Sequence, residues 1–156
     1  MTQTLYFEDF PVGSTHDAQG PTLTEASIIE FARQYDPQYF HIDPIRARDS
    51  IYGGLIASGW QTAALCMRML CDAYVLQTDN LGSPGMQDLK WLKPVRPGDT
   101  VRMRMTVREA RVSNSKPDRG LILQFMEVFN QRDEKVMEMT GWGYMKRRPA
   151  AAGASS

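Results

Sequence analysis

Gly59-Trp60-Gln61-Thr62-Ala63-Ala64-Leu65-Cys66-Met67-Arg68-Met69-Leu70-Cys71-Asp72-Ala73-Tyr74-Val75-Leu76 reads as a helix with too few polar side chains to lie on a surface. Only Gln61, Thr62, Arg68, Asp72 and Tyr74 carry polar groups, and Gln61, Arg68 and Asp72 share one narrow stripe. A helix that is apolar around most of its circumference has to be wrapped by other structure. Ser58, just before it, has the side-chain acceptor that caps a helix start. Arg68 and Asp72 interrupt the apolar run, which is too short to cross a bilayer. The stretch therefore predicts a long central helix inside a folded domain.

Upstream, Ile28, Phe31, Ala32 and Tyr35 recur at helical spacing within Thr24–Tyr35, with Thr22 or Thr24 as cap and Glu25 in the first turn. Pro37 disfavours the helical conformation at Asp36, so this helix should end at Tyr35 and the chain should run extended through Asp36–Ile42. Asp43-Pro44 is a helix start and predicts a short helix over Pro44–Asp49. An early strand is expected near Thr4–Phe10. Downstream of the glycine-rich link Asn80–Gly85 the period changes to two. Val101, Met103, Met105 and Val107 alternate with Arg102, Arg104, Thr106 and Arg108, as in a strand with one buried face. Met86–Lys93, Leu121–Phe129 and Val136–Met145 complete the expected strands, with turns at Pro94–Asp99 and Asn130–Lys135. An antiparallel meander that must cover an apolar helix can do so by curling around it, which makes an α+β fold.

A chain of 156 residues, 42% apolar and 23% charged, suits one domain, here 1–146, followed by a tail over 147–156 that is expected to be mobile. Eighteen basic residues balance eighteen acidic ones, so bulk charge points to neither nucleic acid nor an anionic membrane. Met1–Phe10 lacks the basic lead and apolar run of a secretory signal, and with no spanning segment the expected location is cytoplasmic. Cys66 and Cys71 stand alone, without further Cys or clustered His to make a metal site, and are expected in the core.

Of the two histidines, His16 and His41, only His41 stands near another group suited to acid–base chemistry. Asp36 precedes it by five residues across the proline-stiffened loop, so the two side chains could converge on one water. The start of the central helix adds unpaired N–H groups, Gly59 among them, suited to polarising a carbonyl oxygen. The same residues also fit plainer roles: Asp36 as a helix terminator, His41 as a packed imidazole with a backbone partner, and Gly59 as a point of close helix–sheet packing.

Asp36-Pro37-Gln38-Tyr39-Phe40-His41-Ile42-Asp43, followed by Tyr52-Gly53-Gly54-Leu55-Ile56-Ala57-Ser58-Gly59-Trp60, resembles the MaoC-like dehydratase family, whose members are hotdog folds, so a single hotdog domain is expected here. Lys90–Asp99 is similar to the strand and turn that hotdog proteins place after the central helix. The resemblance implies hydration or dehydration of an acyl thioester, trans-2-enoyl-CoA to 3-hydroxyacyl-CoA. Asp36 and His41 would be the catalytic pair and the Gly59 amide would receive the thioester carbonyl. Coenzyme A or a carrier protein would enter as part of the substrate, and neither a metal nor a redox cofactor is expected. It also implies at least a homodimer, while the balanced charge and the short apolar run leave no nucleic-acid partner and no membrane insertion expected.

The chain departs from the hydratase pattern at two positions. Gln38 takes the place usual for Asn, and Ser58 that usual for His; both are candidates for supporting the site. Asp43 matches a family Asp, but its position suits capping the Pro44 turn. Two other readings remain beside hydration: a hotdog thioesterase, where water attacks the thioester carbonyl, and a non-catalytic acyl-binding subunit. Arg102, Arg104 and Arg108 suit a solvated strand face better than a coenzyme A phosphate site. Met67, Met69, Met103, Met105, Met126, Met137 and Met139 suit core filling, and Trp60 and Trp91 either wall a cleft or simply pack.

Overall fold

The computed structural model describes residues 3–150. In place of the expected strand over Thr4–Phe10 there is a single parallel bridge of Leu5 to Thr78 and then a 3-10 turn, Phe7–Asp9, in which Asp9 Oδ2 accepts the Tyr6 N–H at 2.8 Å. The first strand, β1, is Thr15–Thr22. Its sequence, THDAQGPT, has no apolar alternation, so the pattern that signals a strand is missing. Backbone pairing holds it instead, antiparallel against β3, Thr100–Val112. Gly20 lets β1 pass close to the core, since a Cβ there would lie 2.8 Å from Met69 Sδ.

Helix α1, Glu25–Tyr35, starts where the capping residues dictate. Thr24 Oγ1 accepts the Ser27 N–H and Ser27 Oγ accepts the Thr24 N–H, each at 3.0 Å. The next segment corrects the expected extended loop: Asp36–Gln38 turns tightly, with the Gln38 N–H on the Asp36 carbonyl at 2.8 Å, and Tyr39–Ile42 coils into one helical turn, α2. Proline restrains the residue before it and leaves those after it free to turn. Asp43 Oδ1 accepts the Ile45 and Arg46 N–H groups at 3.1 Å each, capping a 3-10 turn over Arg46–Asp49.

The long helix α3 runs Gly59–Ala73 and gives way to a 3-10 turn, Val75–Gln77. Three further strands, β2 (Gly85–Trp91), β4 (Arg119–Phe129) and β5 (Lys135–Lys146), complete a five-stranded antiparallel sheet of order β1-β3-β4-β5-β2. The meander β3-β4-β5 lies in the middle. Val101, Met103, Met105 and Val107 of β3 and Met126 and Val128 of β4 point inward against Cys66, Met69 and Leu70 of α3. This is the hotdog fold, a curled sheet around a central helix.

One expectation about α3 holds only in part. Gln61, Thr62, Cys66, Met69 and Leu70 are buried, but Trp60 and Met67 remain 57% and 43% exposed. Five strands cover one side of a helix; the other stays open beside the sheet edge formed by β2. Of the expected tail, Arg147 and Arg148 are held by ion pairs to Glu8 and Asp9 at 3.1 and 2.7 Å, whereas 151–156 lies outside the described residues. No helix of the described residues is long and apolar enough to cross a membrane.

Candidate active site

The end of α1 and the turn of α2 bring Asp36 and His41 together. The Asp36 N–H closes the last turn of α1 on the Ala32 carbonyl at 2.8 Å, and Pro37 turns the chain away. Because α2 then coils, His41 swings back toward Asp36, and its Nε2 lies 3.3 Å from Asp36 Oδ2. The imidazole is buried, 4% exposed. Its Nδ1 is 2.8 Å from the Ile56 carbonyl oxygen, which can only accept, so Nδ1 carries a proton and Nε2 is the ring atom turned to Asp36. This backbone partner matches the plainer expectation for His41, and the same bond fixes the tautomer that acid–base work needs.

Asp36 is held by three neighbours. Ser58 Oγ–H donates to Oδ2 at 2.6 Å and Gln38 Nε2–H to Oδ1 at 2.7 Å, while His41 faces Oδ2. Burial alone would raise the Asp36 pKa, but the Ser58 and Gln38 hydrogen bonds and the His41 charge outweigh it and hold the carboxyl below its usual range. Gln38 and Ser58, the two departures from the hydratase pattern, are thus the two hydrogen-bond donors to the carboxylate.

The start of α3 forms the facing wall. Ser58 Oγ accepts the Trp60 N–H at 3.2 Å, and the Ser58 carbonyl accepts the Gln61 and Thr62 N–H groups at 3.0 and 3.2 Å. The Gly59 N–H donates to none of the described residues. Gly59 also carries the close packing expected of it: a Cβ there would sit 2.3 Å from Trp91 Cε2, and Trp91 Nε1–H donates to the Gly59 carbonyl at 2.9 Å. Trp91 packs edge-to-face on Trp60 with ring centroids 5.2 Å apart.

Asp36, Gln38, His41 and Gly59 all line one cleft of about 430 Å³, walled by apolar side chains that include Phe40, Trp60, Trp91 and Val95. Trp60 and Trp91 therefore wall the cleft as well as pack. Thr62 and Lys93 line it too, and Lys93 is paired with Glu134. The methionines do not line it, and Met69, Met103, Met105, Met126, Met137 and Met139 are buried in the core. The arginines of β3 are spent elsewhere: Arg102 on Asp133, Arg104 on Asp17, and Arg108 stacked 3.5 Å from the Phe125 ring centre. Sequence reasoning overlooked the Ile56 carbonyl that orients His41, because a backbone atom leaves no signature in residue type. Among the described residues no three His, Cys, Asp or Glu side chains gather as a metal site.

The model of the MaoC like domain matches residues 9–120. The crystal structure of a MaoC-like dehydratase from Rhodospirillum rubrum superposes with a TM-score of 0.87 at 39% identity, covering 94% of this chain and 99% of that one. The uncharacterized protein YdeM of Bacillus subtilis is 28% identical over 137 residues, 86% of this chain and 94% of YdeM. Protein MaoC of Klebsiella aerogenes is 33% identical over 112 residues, 71% of this chain, which spans only 33% of that protein's length.

Proposed function

The chain belongs to the MaoC-like domain family, and on that footing we propose that its cleft hydrates a trans-2-enoyl thioester, or dehydrates the 3-hydroxyacyl product, with Asp36 and His41 as catalytic residues. One observation carries the reading: the Asp36 carboxylate and His41 Nε2, 3.3 Å apart, share a cleft with the Gly59 N–H at the start of α3, which has no partner among the described residues.

A water in the cleft gives a proton to Asp36 Oδ2 while its oxygen bonds to Cβ. The displaced electron pair moves onto the thioester oxygen, which the Gly59 N–H stabilises as an enolate. With Nδ1 committed to the Ile56 carbonyl, the proton for Cα comes from protonated His41 through Nε2. The proton gained by Asp36 returns to Nε2 across the 3.3 Å gap and restores the pair. No electrons are exchanged with the protein, so the addition calls for no redox cofactor. Coenzyme A or a carrier protein supplies the thioester.

The same reading includes a second copy of the chain. Trp60 and Met67 of α3 are 57% and 43% exposed, and Trp60 packs on Trp91, itself 47% exposed, at the end of β2, whose one partner in the described sheet is β5. Joining two copies along this face covers the open side of α3, which the apolar character of that helix calls for.

The test is incubation of purified protein with trans-2-enoyl-CoA and saturated acyl-CoA thioesters over a range of chain lengths, following loss of enoyl absorbance and release of thiol separately. Enoyl loss without thiol supports hydration. Thiol release moves the assignment to a thioesterase, and neither signal moves it to an acyl-binding subunit.

A further inference from the structure

Ser58 is the side chain that joins the two walls of the site. It is fully buried, at 0% exposure. Its one hydroxyl proton goes to Asp36 Oδ2 at 2.6 Å, while its oxygen accepts the Trp60 N–H at 3.2 Å. A hydroxyl has a single proton, and the backbone N–H that it caps takes up a lone pair, so the bond toward Asp36 has a fixed direction. The Ser58 carbonyl is bound by the next N–H groups of α3, which makes the Ser58 main chain and the Gly59 N–H one rigid piece. Asp36 is tied by its own N–H to α1. The Ser58 hydroxyl thus spans from the end of one helix to the start of the other.

The second donor to Asp36 cannot do the same. Gln38 lies beside Asp36 in the chain, and its bond is exposed, where water competes for it. The Ser58 bond fixes the oxygen that faces His41, and it does so from the element that carries the Gly59 N–H.

On the hydration reading above, we infer that Ser58 is a positioning residue: it holds Asp36 Oδ2 in its proton-accepting orientation at a set distance from the Gly59 N–H. The charged and titratable groups facing the cleft beside Asp36 are His41 from α2, Tyr52 from the loop before α3, and Lys93, which Glu134 neutralises. The Ser58 hydroxyl is the buried neutral donor among them.

Ser58→Ala deletes the hydroxyl and with it the bond to Asp36. The Asp36 carboxylate, followed by carbon-13 NMR, should then titrate at higher pH than in the wild-type protein, and Ser58→Thr should restore the wild-type midpoint. Hydration kcat should fall on the order of tenfold to a hundredfold with KM within about twofold, since a misplaced base costs rate rather than binding. If Ser58→Ala fails to fold, Ser58→Gly replaces it, because Gly serves well as a helix cap. An Asp36 midpoint unchanged in the folded variant overturns the inference. The NMR reading stands even for a protein that hydrates no enoyl thioester, so failure of the proposed reaction and failure of the Ser58 role are told apart.

Discussion

Asp36 shows how a carboxylate beside a helix end becomes a base. Burial pushes its pKa up, and the Ser58 and Gln38 donors and the His41 charge push it below the usual value of 3.8. A carboxyl whose folded pKa is depressed adds stability that is fully present above the unfolded pKa and is lost as pH falls through the folded one. The stability advantage of the wild type over Asp36→Asn, measured by urea unfolding, should therefore be constant from neutral pH down to about 4 and shrink below it. An advantage that grows on acidification contradicts this. In activity, Asp36→Asn and His41→Ala should each lower enoyl hydration by about 10²–10⁴-fold in protein that circular dichroism at pH 7 shows to be folded, the loss expected for a general acid or base. Either variant keeping full activity removes that residue from the catalytic pair. The residue types and their five-residue spacing were legible in the sequence. The 3.3 Å approach was not, because it depends on the helical turn of α2, where an extended loop was expected.

The start of α3 and the strand β2 meet at Gly59. Trp91 lies where a side chain at Gly59 would have to go, 2.3 Å from the ideal Cβ position. Gly59→Ala should thus destabilise the protein by about 1–3 kcal/mol, the usual cost of overpacking. In a Trp91→Ala background the same change should cost much less, because the clashing ring is gone. Urea unfolding of the four proteins measures the coupling, and additive costs would show that Trp91 is not the obstacle. Thr24→Ala should cost about 1 kcal/mol by removing the cap of α1. Such caps are readable in sequence because they act within one turn. β1 was not, because its side chains bury little and its hydrogen-bond partners lie some ninety residues away, as in Thr15 opposite Thr106.

Taken as one body, the hotdog domain leaves a helix face uncovered, and pairing with a second copy is the proposed remedy. Met67→Glu puts a charge on that face and should move the protein from dimer to monomer in sedimentation at about 10 μM; a monomeric wild type contradicts the pairing outright. The sequence alone was enough for the central helix, the meander β3-β4-β5 and the α+β class, because apolar periodicity, caps and turns act over a few residues and survive any arrangement at longer range, and the motifs Asp36–Asp43 and Tyr52–Trp60 carried the resemblance to the family. The assembly of the site depended on the folded chain. Ser58 on Asp36, the Ile56 carbonyl on His41 and Trp91 over Gly59 join residues 22, 15 and 32 positions apart. Contacts of that span follow from how the elements pack, and two of the three end on a backbone carbonyl, which every residue type possesses alike.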